Sequence, residues 1–323
     1  MLTTDTFIHL WVHLGWPLTR LLLFLAVGLL VALVIESLNW TKKLAVIARP
    51  LTRFGHLSPL TGASFSMCFF SGIAANTMLA EGYDTKKLSR RELILANLFN
   101  SLPNNFLHLP TTFFIAVPII KGAAFVYLGL TVGAALLRTL VITLLARLLL
   151  PAVKTEEIAQ ANAPRDQRQS FRSALKNGMQ RFRRRIRKII SYTAPIYTLF
   201  YFLNEAGFFT ATQRFMTEHL SWLSWLSPQA ISIITFQVAA EFTAGLAAAG
   251  ALLATGSMSS REIVLALLVG NILSSPIRAL RHQYPYYAGI FKPGLAAQLI
   301  IFSQSFRAIS IVFVTFLYYY ITL

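Results

Sequence analysis

The sequence predicts an all-α polytopic membrane protein made of two inverted repeats, each with a helical hairpin and a broken transmembrane helix. Three observations lead there. Apolar runs near twenty residues recur along a 323-residue chain that is 55% hydrophobic and only 13% charged, and that length carries a helix across a hydrocarbon core. One residue string is written twice. The basic residues crowd into a few connecting segments, although the formal net charge is +17.

The doubled string reads MLAEGYDTKKLSRRELILANLFNSLPNN from Met78 and LLATGSMSSREIVLALLVGNILSSPIRA from Leu252. Arg91-Glu92 matches Arg261-Glu262, Leu95-Ala96 matches Leu265-Ala266, and Leu79-Ala80 with Gly82 matches Leu253-Ala254 with Gly256. Aligned this way, the two copies need gaps in the loop and between the Asn and the Pro. Internal pseudo-symmetry in an apolar chain marks transport folds, whose sites sit where repeats meet.

Four segments, 40–58, 83–92, 154–188 and 278–292, hold 22 of the 29 Lys and Arg residues, so the positive-inside rule places all four on the cytoplasmic face. The small-residue segment 59–82 then has basic flanks on both sides and is expected to enter and leave on one face as a hairpin. Its counterpart, 230–255, is expected to be a hairpin from the opposite face; the alternative makes each an ordinary span and the repeat parallel. The expected organisation is an interfacial N-terminal helix over 1–16, repeat 1 over 17–151, a basic cytoplasmic linker over 152–188 and repeat 2 over 189–323. The N-terminus lacks a cationic stretch and holds Asp5, so no cleaved signal peptide is expected.

Chemistry is sought at the hairpins and the breaks. Glu241, flanked by Val238, Ala239, Ala240 and Phe242, is costly to bury charged and must be neutral, paired or facing a polar cavity. It is a candidate for Na⁺ or proton coupling or for substrate contact; the structural alternative is a salt bridge to Arg307 or Arg138. Ser71, Asn76 and Thr243 lie on the hairpin segments. Leu102-Pro103-Asn104-Asn105 and Ser274-Ser275-Pro276 are expected to interrupt the elements that follow, because proline removes a backbone donor and frees carbonyls. Asn97, Asn100, Asn104, Asn105 and Asn271, with Ser274 and Ser275, then surround those breaks as polar ligand contacts. Asn and Ser also glue helices together in lipid, so some of them serve packing alone.

In the linker, Arg181, Arg183, Arg184, Arg185, Arg187 and Lys188 alternate with Phe182 and Ile186, a pattern for an amphipathic helix on anionic lipid head groups or for a block of charge that fixes topology. The sequence spells no Ser/Lys or His/Asp arrangement and no metal-ligand cluster, so an enzyme is not expected and any metal is left unassigned. Basicity concentrated in membrane-flanking loops argues against nucleic acid as a partner. No resident cofactor is expected.

The string FFSGIAANTMLAEGYDTKKLSRRELILANLFNSLPNN from Phe69, with its echo from Phe242, resembles the Gate, or nucleoside-recognition, domain of bacterial and archaeal membrane proteins. That group includes the spore maturation proteins A and B, with related Gate domains in the ferrous-iron permease and the concentrative nucleoside transporters. The resemblance covers both repeats. It implies hairpin tips at 71–76 and 243–250, with the Asn-containing breaks as unwound helices facing them. It also implies a multi-pass protein of a prokaryotic cytoplasmic (inner) membrane. Opposite Glu241, the aligned region of the first repeat offers Met67 or Cys68. The expected function is transport of a small polar solute, nucleoside-like or other, by alternating access. The alternative is a membrane-embedded lipid-handling or partner-binding protein, and a homo-oligomer or partner subunit fits either.

Overall fold

The computed structural model describes residues 4–37, 41–151 and 226–323 apart from position 241, with scattered positions between 179 and 218. The described elements are helical: α1 (Thr4–Leu10), α2 (Trp16–Ser37), α3 (Thr41–Phe54), α4 (Pro59–Cys68), α5 (Gly72–Asp84), α6 (Arg90–Phe99), α7 (Ser101–Ile120), α8 (Gly122–Leu149), α9 (Pro228–Ala240), α10 (Phe242–Ala254), α11 (Ser260–Arg278), α12 (Tyr284–Phe291) and α13 (Pro293–Ile321). Among the described residues there is no strand. Three of these stretches, Gly122–Leu149, Ser260–Phe291 and Pro293–Ile321, are long and apolar enough to cross a membrane, which marks a membrane protein. Helix α8 shows how such a helix is used. It buries Ala135, Arg138, Thr139, Ile142 and Ala146 on one face while leaving Leu136, Leu140, Leu144 and Leu148 exposed, an outer surface that only lipid or another apolar partner would solvate well.

Both small-residue segments fold back on themselves. The Ser64 hydroxyl of α4 donates to the Ala75 carbonyl of α5 at 3.0 Å, whereas eleven residues of straight helix would set them roughly 16 Å apart. The turn is held by Ser71, whose side chain caps α5 by accepting from the Ala74 N–H at 3.2 Å. In the second segment, a Cβ built on Gly245 of α10 would lie 2.7 Å from Gln237 Cβ and 3.0 Å from the Ile233 carbonyl of α9. Only a glycine lets the two arms come that close.

The copies also align more tightly than their sequences suggest. Helix α5 ends in Lys86 at φ 58°, with Lys86 N–H to Tyr83 O and Lys87 N–H to Gly82 O. Helix α10 ends in Gly256 at φ 68°, with Gly256 N–H to Leu253 O and Ser257 N–H to Leu252 O. These are the same Schellman turn, 170 positions apart, as are the helix-capping Ser89 and Ser259, each accepting from the N–H of a glutamate three residues on. No loop gap is needed. The Leu-Ala-x-Gly correspondence is displaced by four residues, one helical turn. In the gapless register Glu241 aligns with Ser71, not with Met67 or Cys68, and Asn104-Asn105 align with Ser274-Ser275.

The breaks fall elsewhere than expected. In the first copy the interruption is at Asn100, and Leu102-Pro103-Asn104-Asn105 lies inside α7. Pro103 occupies the first turn, where a missing N–H costs nothing. In the second, α11 runs through Ser274-Ser275-Pro276, and a π-helical turn follows at Ala279–Gln283. Two lysines with left-handed backbone, Lys121 (φ 50°) and Lys292 (φ 69°), then separate α7 from α8 and α12 from α13. They stand 171 apart, so the second copy is one residue longer over this stretch, the residue that a π turn adds to an α-helix.

The helices pack into two compact units, and each draws on both halves of the sequence. The first holds Met1–Leu107, Thr139–Thr198 and Tyr284–Leu299; the second holds His108–Arg138, Leu199–Gln283 and Ile300–Leu323. The first unit has a core of Leu79, Leu88, Leu93, Phe291 and Leu299, against which Phe182 and Ile186 of the linker pack. The second is centred on Ile233, Ile234, Leu246, Ile263 and Leu267.

Candidate functional site

In the first unit the predicted amides converge. Asn76 of α5 and Asn97 of α6 are both buried, and the Asn97 amide donates to Asn76 Oδ1 at 3.0 Å and to the Tyr287 hydroxyl at 3.3 Å. One turn on, the Asn100 amide donates to Ser64 Oγ at 2.8 Å, and its main-chain carbonyl accepts from Cys68 at 3.5 Å. Asn100 Oδ1 and Asn105 Nδ2 are buried without a hydrogen-bond partner among the described residues. Asn104 is exposed and reaches the hairpin turn, with its Oδ1 3.3 Å from where a Cβ on Gly72 would stand. Ser71 is committed to its cap. Glu92 stitches α6 to the start of α4, accepting from the Ser58 N–H at 2.8 Å and the Thr61 hydroxyl at 3.1 Å.

The second unit carries a different chemistry on the same plan. Asn271 of α11 donates to the Tyr127 hydroxyl at 3.0 Å and accepts from Arg307 of α13 at 3.2 Å. Ser275, one turn further, donates to Gln304 at 2.6 Å. Arg138 is buried at 8% exposure and donates to Ser310 Oγ at 2.9 Å, while Ser310 donates to the Arg307 carbonyl at 2.9 Å. Phe242 stacks on Tyr127 with ring centroids 5.8 Å apart. Ser274 is buried and Gln237 fully buried, and among the described residues neither the Ser274 hydroxyl nor either Gln237 amide atom has a partner. Gln237 fits there because Gly245 and Gly270 present bare backbone to it.

Of the other expected contacts, Thr243 is exposed and joins neither set. Glu241 lies outside the described residues, as do Arg181, Arg184, Arg185 and Lys188. Arg183 and Arg187 are exposed beside the half-buried Phe182 and Ile186, the arrangement expected of an amphipathic segment. Sequence reasoning missed Tyr127, Tyr287, Gln237, Gln304 and Ser64. A lone amide or phenol inside an apolar run was the available signal, since such a group must find a partner when buried.

No family model matches this chain, and no solved structure matches it. It is similar to three proteins of the archaeon Methanocaldococcus jannaschii. With uncharacterized protein MJ0871 it shares 28% identity over 283 residues, 87% of this chain and 86% of that one. With uncharacterized protein MJ1556 it shares 28% over 287 residues, 85% and 87% of the two. With uncharacterized protein MJ0880 it shares 23% over 282 residues, 85% and 88% of the two.

Proposed function

We propose that this chain is a Gate-type membrane transporter of a small polar solute, working by alternating access between two inverted repeats in a prokaryotic cytoplasmic membrane. The observation that carries the reading is the set of buried polar atoms without a partner among the described residues: Asn100 Oδ1 and Asn105 Nδ2 in one unit, Ser274 Oγ and the Gln237 amide in the other. In an apolar bundle each such atom costs about 1–3 kcal/mol, and a pathway for a hydrogen-bonding solute accounts for keeping them. Glu241, next to α10 and equivalent to the capping Ser71, is the candidate coupling residue for Na⁺ or a proton.

Uptake into reconstituted vesicles tests this. Purified protein in liposomes is offered radiolabelled uridine, phosphate and a neutral sugar. Saturable entry of at least one above the rate of empty liposomes supports transport. Equal entry in both preparations for every solute contradicts it for these classes and favours the lipid-handling alternative, for which the exposed Arg183 and Arg187 beside packed Phe182 and Ile186 supply the motive.

A further inference from the structure

Charge separates the two units. The polar set of the first unit, Ser64, Asn76, Asn97, Asn100 and Tyr287, is built from neutral groups. In the second unit Asn271, Ser274, Ser275 and Arg278 fall at i, i+3, i+4 and i+7 on α11 and share one face. Arg307 of α13 bonds the first of them. Arg138 and Arg278 both lie within electrostatic range of Arg307. Tyr127 also lies within electrostatic range of Arg307.

The second unit's span of sequence contains four acidic residues, Glu205, Glu218, Glu241 and Glu262. Glu262 is occupied by its own cap, accepting from the Ser259 N–H and hydroxyl. Arg278 and Arg307 on membrane helices need compensation, and with Glu262 held in its cap and Glu205 and Glu218 exposed, Glu241 would balance only one of them. A guanidinium fixed by the amide of Asn271, with the buried Ser274 hydroxyl one turn along the same helix face and without a partner among the described residues, suits a group with several acceptor oxygens.

We propose that the second unit holds an oxyanion-binding site, with Arg307 as the ion-pairing group, Arg278 adding positive potential and the Ser274 hydroxyl donating, so that the solute carries a phosphate or carboxylate group. This rests on the transport reading and names its substrate class. The same chemistry could come from a free solute or from a lipid head group.

The test is thermal unfolding of the full chain in detergent at matched ionic strength, with sodium phosphate, sodium citrate, short-chain phosphatidic acid, uridine or sodium chloride added. Arg307→Gln, Ser274→Ala and the exposed-site control Arg53→Gln are run beside the wild type. The expected result is a rise of about 3 °C or more with phosphate or citrate over chloride, abolished by Arg307→Gln, reduced by Ser274→Ala and kept by Arg53→Gln. If Arg307→Gln does not fold, Ser274→Ala carries the test, since that hydroxyl has no partner among the described residues to lose. A rise with phosphatidic acid alone, lost in the same variants, keeps the site and assigns its oxyanion to lipid. A rise with uridine alone overturns the oxyanion site and leaves solute transport standing. No rise with any oxyanion, or one unchanged in both site variants, overturns it as well.

Discussion

Asn271 donates its amide to the Tyr127 hydroxyl at 3.0 Å, joining a helix of the second half of the sequence to one of the first inside a single packed unit. The other unit repeats the pairing with Asn97 and Tyr287 at 3.3 Å, again with one residue from each half. The duplicated halves are therefore interleaved, so that neither can be removed without stripping partners from the buried amides of the other.

Replacing Asn271 by Leu removes the acceptor for Arg307 and the donor to Tyr127 together. The expected loss is about 1–3 kcal/mol, read as a lowered midpoint of thermal unfolding in detergent. Tyr127→Phe removes one of those bonds and is expected to cost less, about 1 kcal/mol. A neutral Asn271→Leu would contradict the network.

Gly245→Ala should destabilise by about 1–3 kcal/mol, because the added methyl meets Gln237 Cβ and the Ile233 carbonyl. Gly270→Ala is opposed mainly by the end of the Gln237 side chain, so Gln237→Ala should relieve much of its effect. Unfolding midpoints of the two single variants and the pair give the coupling; strict additivity would count against Gln237 packing on Gly270.

Ser259→Ala removes a reciprocal cap and is expected to cost about 1 kcal/mol. Glu92→Ala breaks two bonds between separate helices and should cost more than Glu262→Ala, whose carboxylate turns back on its own cap. Paired denaturation curves decide the order.

The hairpin form of 59–84 predicts that its two ends share one membrane face. With Cys68 replaced by Ala, single cysteines at His56 and Lys86 should be labelled by an impermeant maleimide from the same side of sealed vesicles. Labelling from opposite sides would restore a full span.

The fold was legible where local chemistry dictates it. Basic flanks on both ends of 59–82 and the small residues within it gave the hairpin, whereas the Ser-x-x-Glu spacing that starts α6 and α11 went unread. The register was not legible, because Leu-Ala-x-Gly recurs one turn out of step and the extra residue of the Ala279–Gln283 turn carries no sequence mark. The prolines misled about the breaks: Pro103 sits harmlessly in a first turn, while α11 passes through Pro276. Of the site, the amides on α5, α6 and α11 were legible as polar groups in apolar runs. Their partners Tyr127, Tyr287 and Gln304 were not, because a pairing between distant helices depends on packing that no periodicity records.

Ser274 provides the most direct test of the central claim that a polar solute path reaches the buried hydroxyls of α11. In the Cys68→Ala background, Ser274→Cys is treated in sealed vesicles with a small water-soluble thiol reagent added to one face at a time, with a denatured sample as the positive control. The account predicts modification from at least one face, slowed by a transported solute. A cysteine that stays unmodified from both faces, yet reacts fully once denatured, would contradict it.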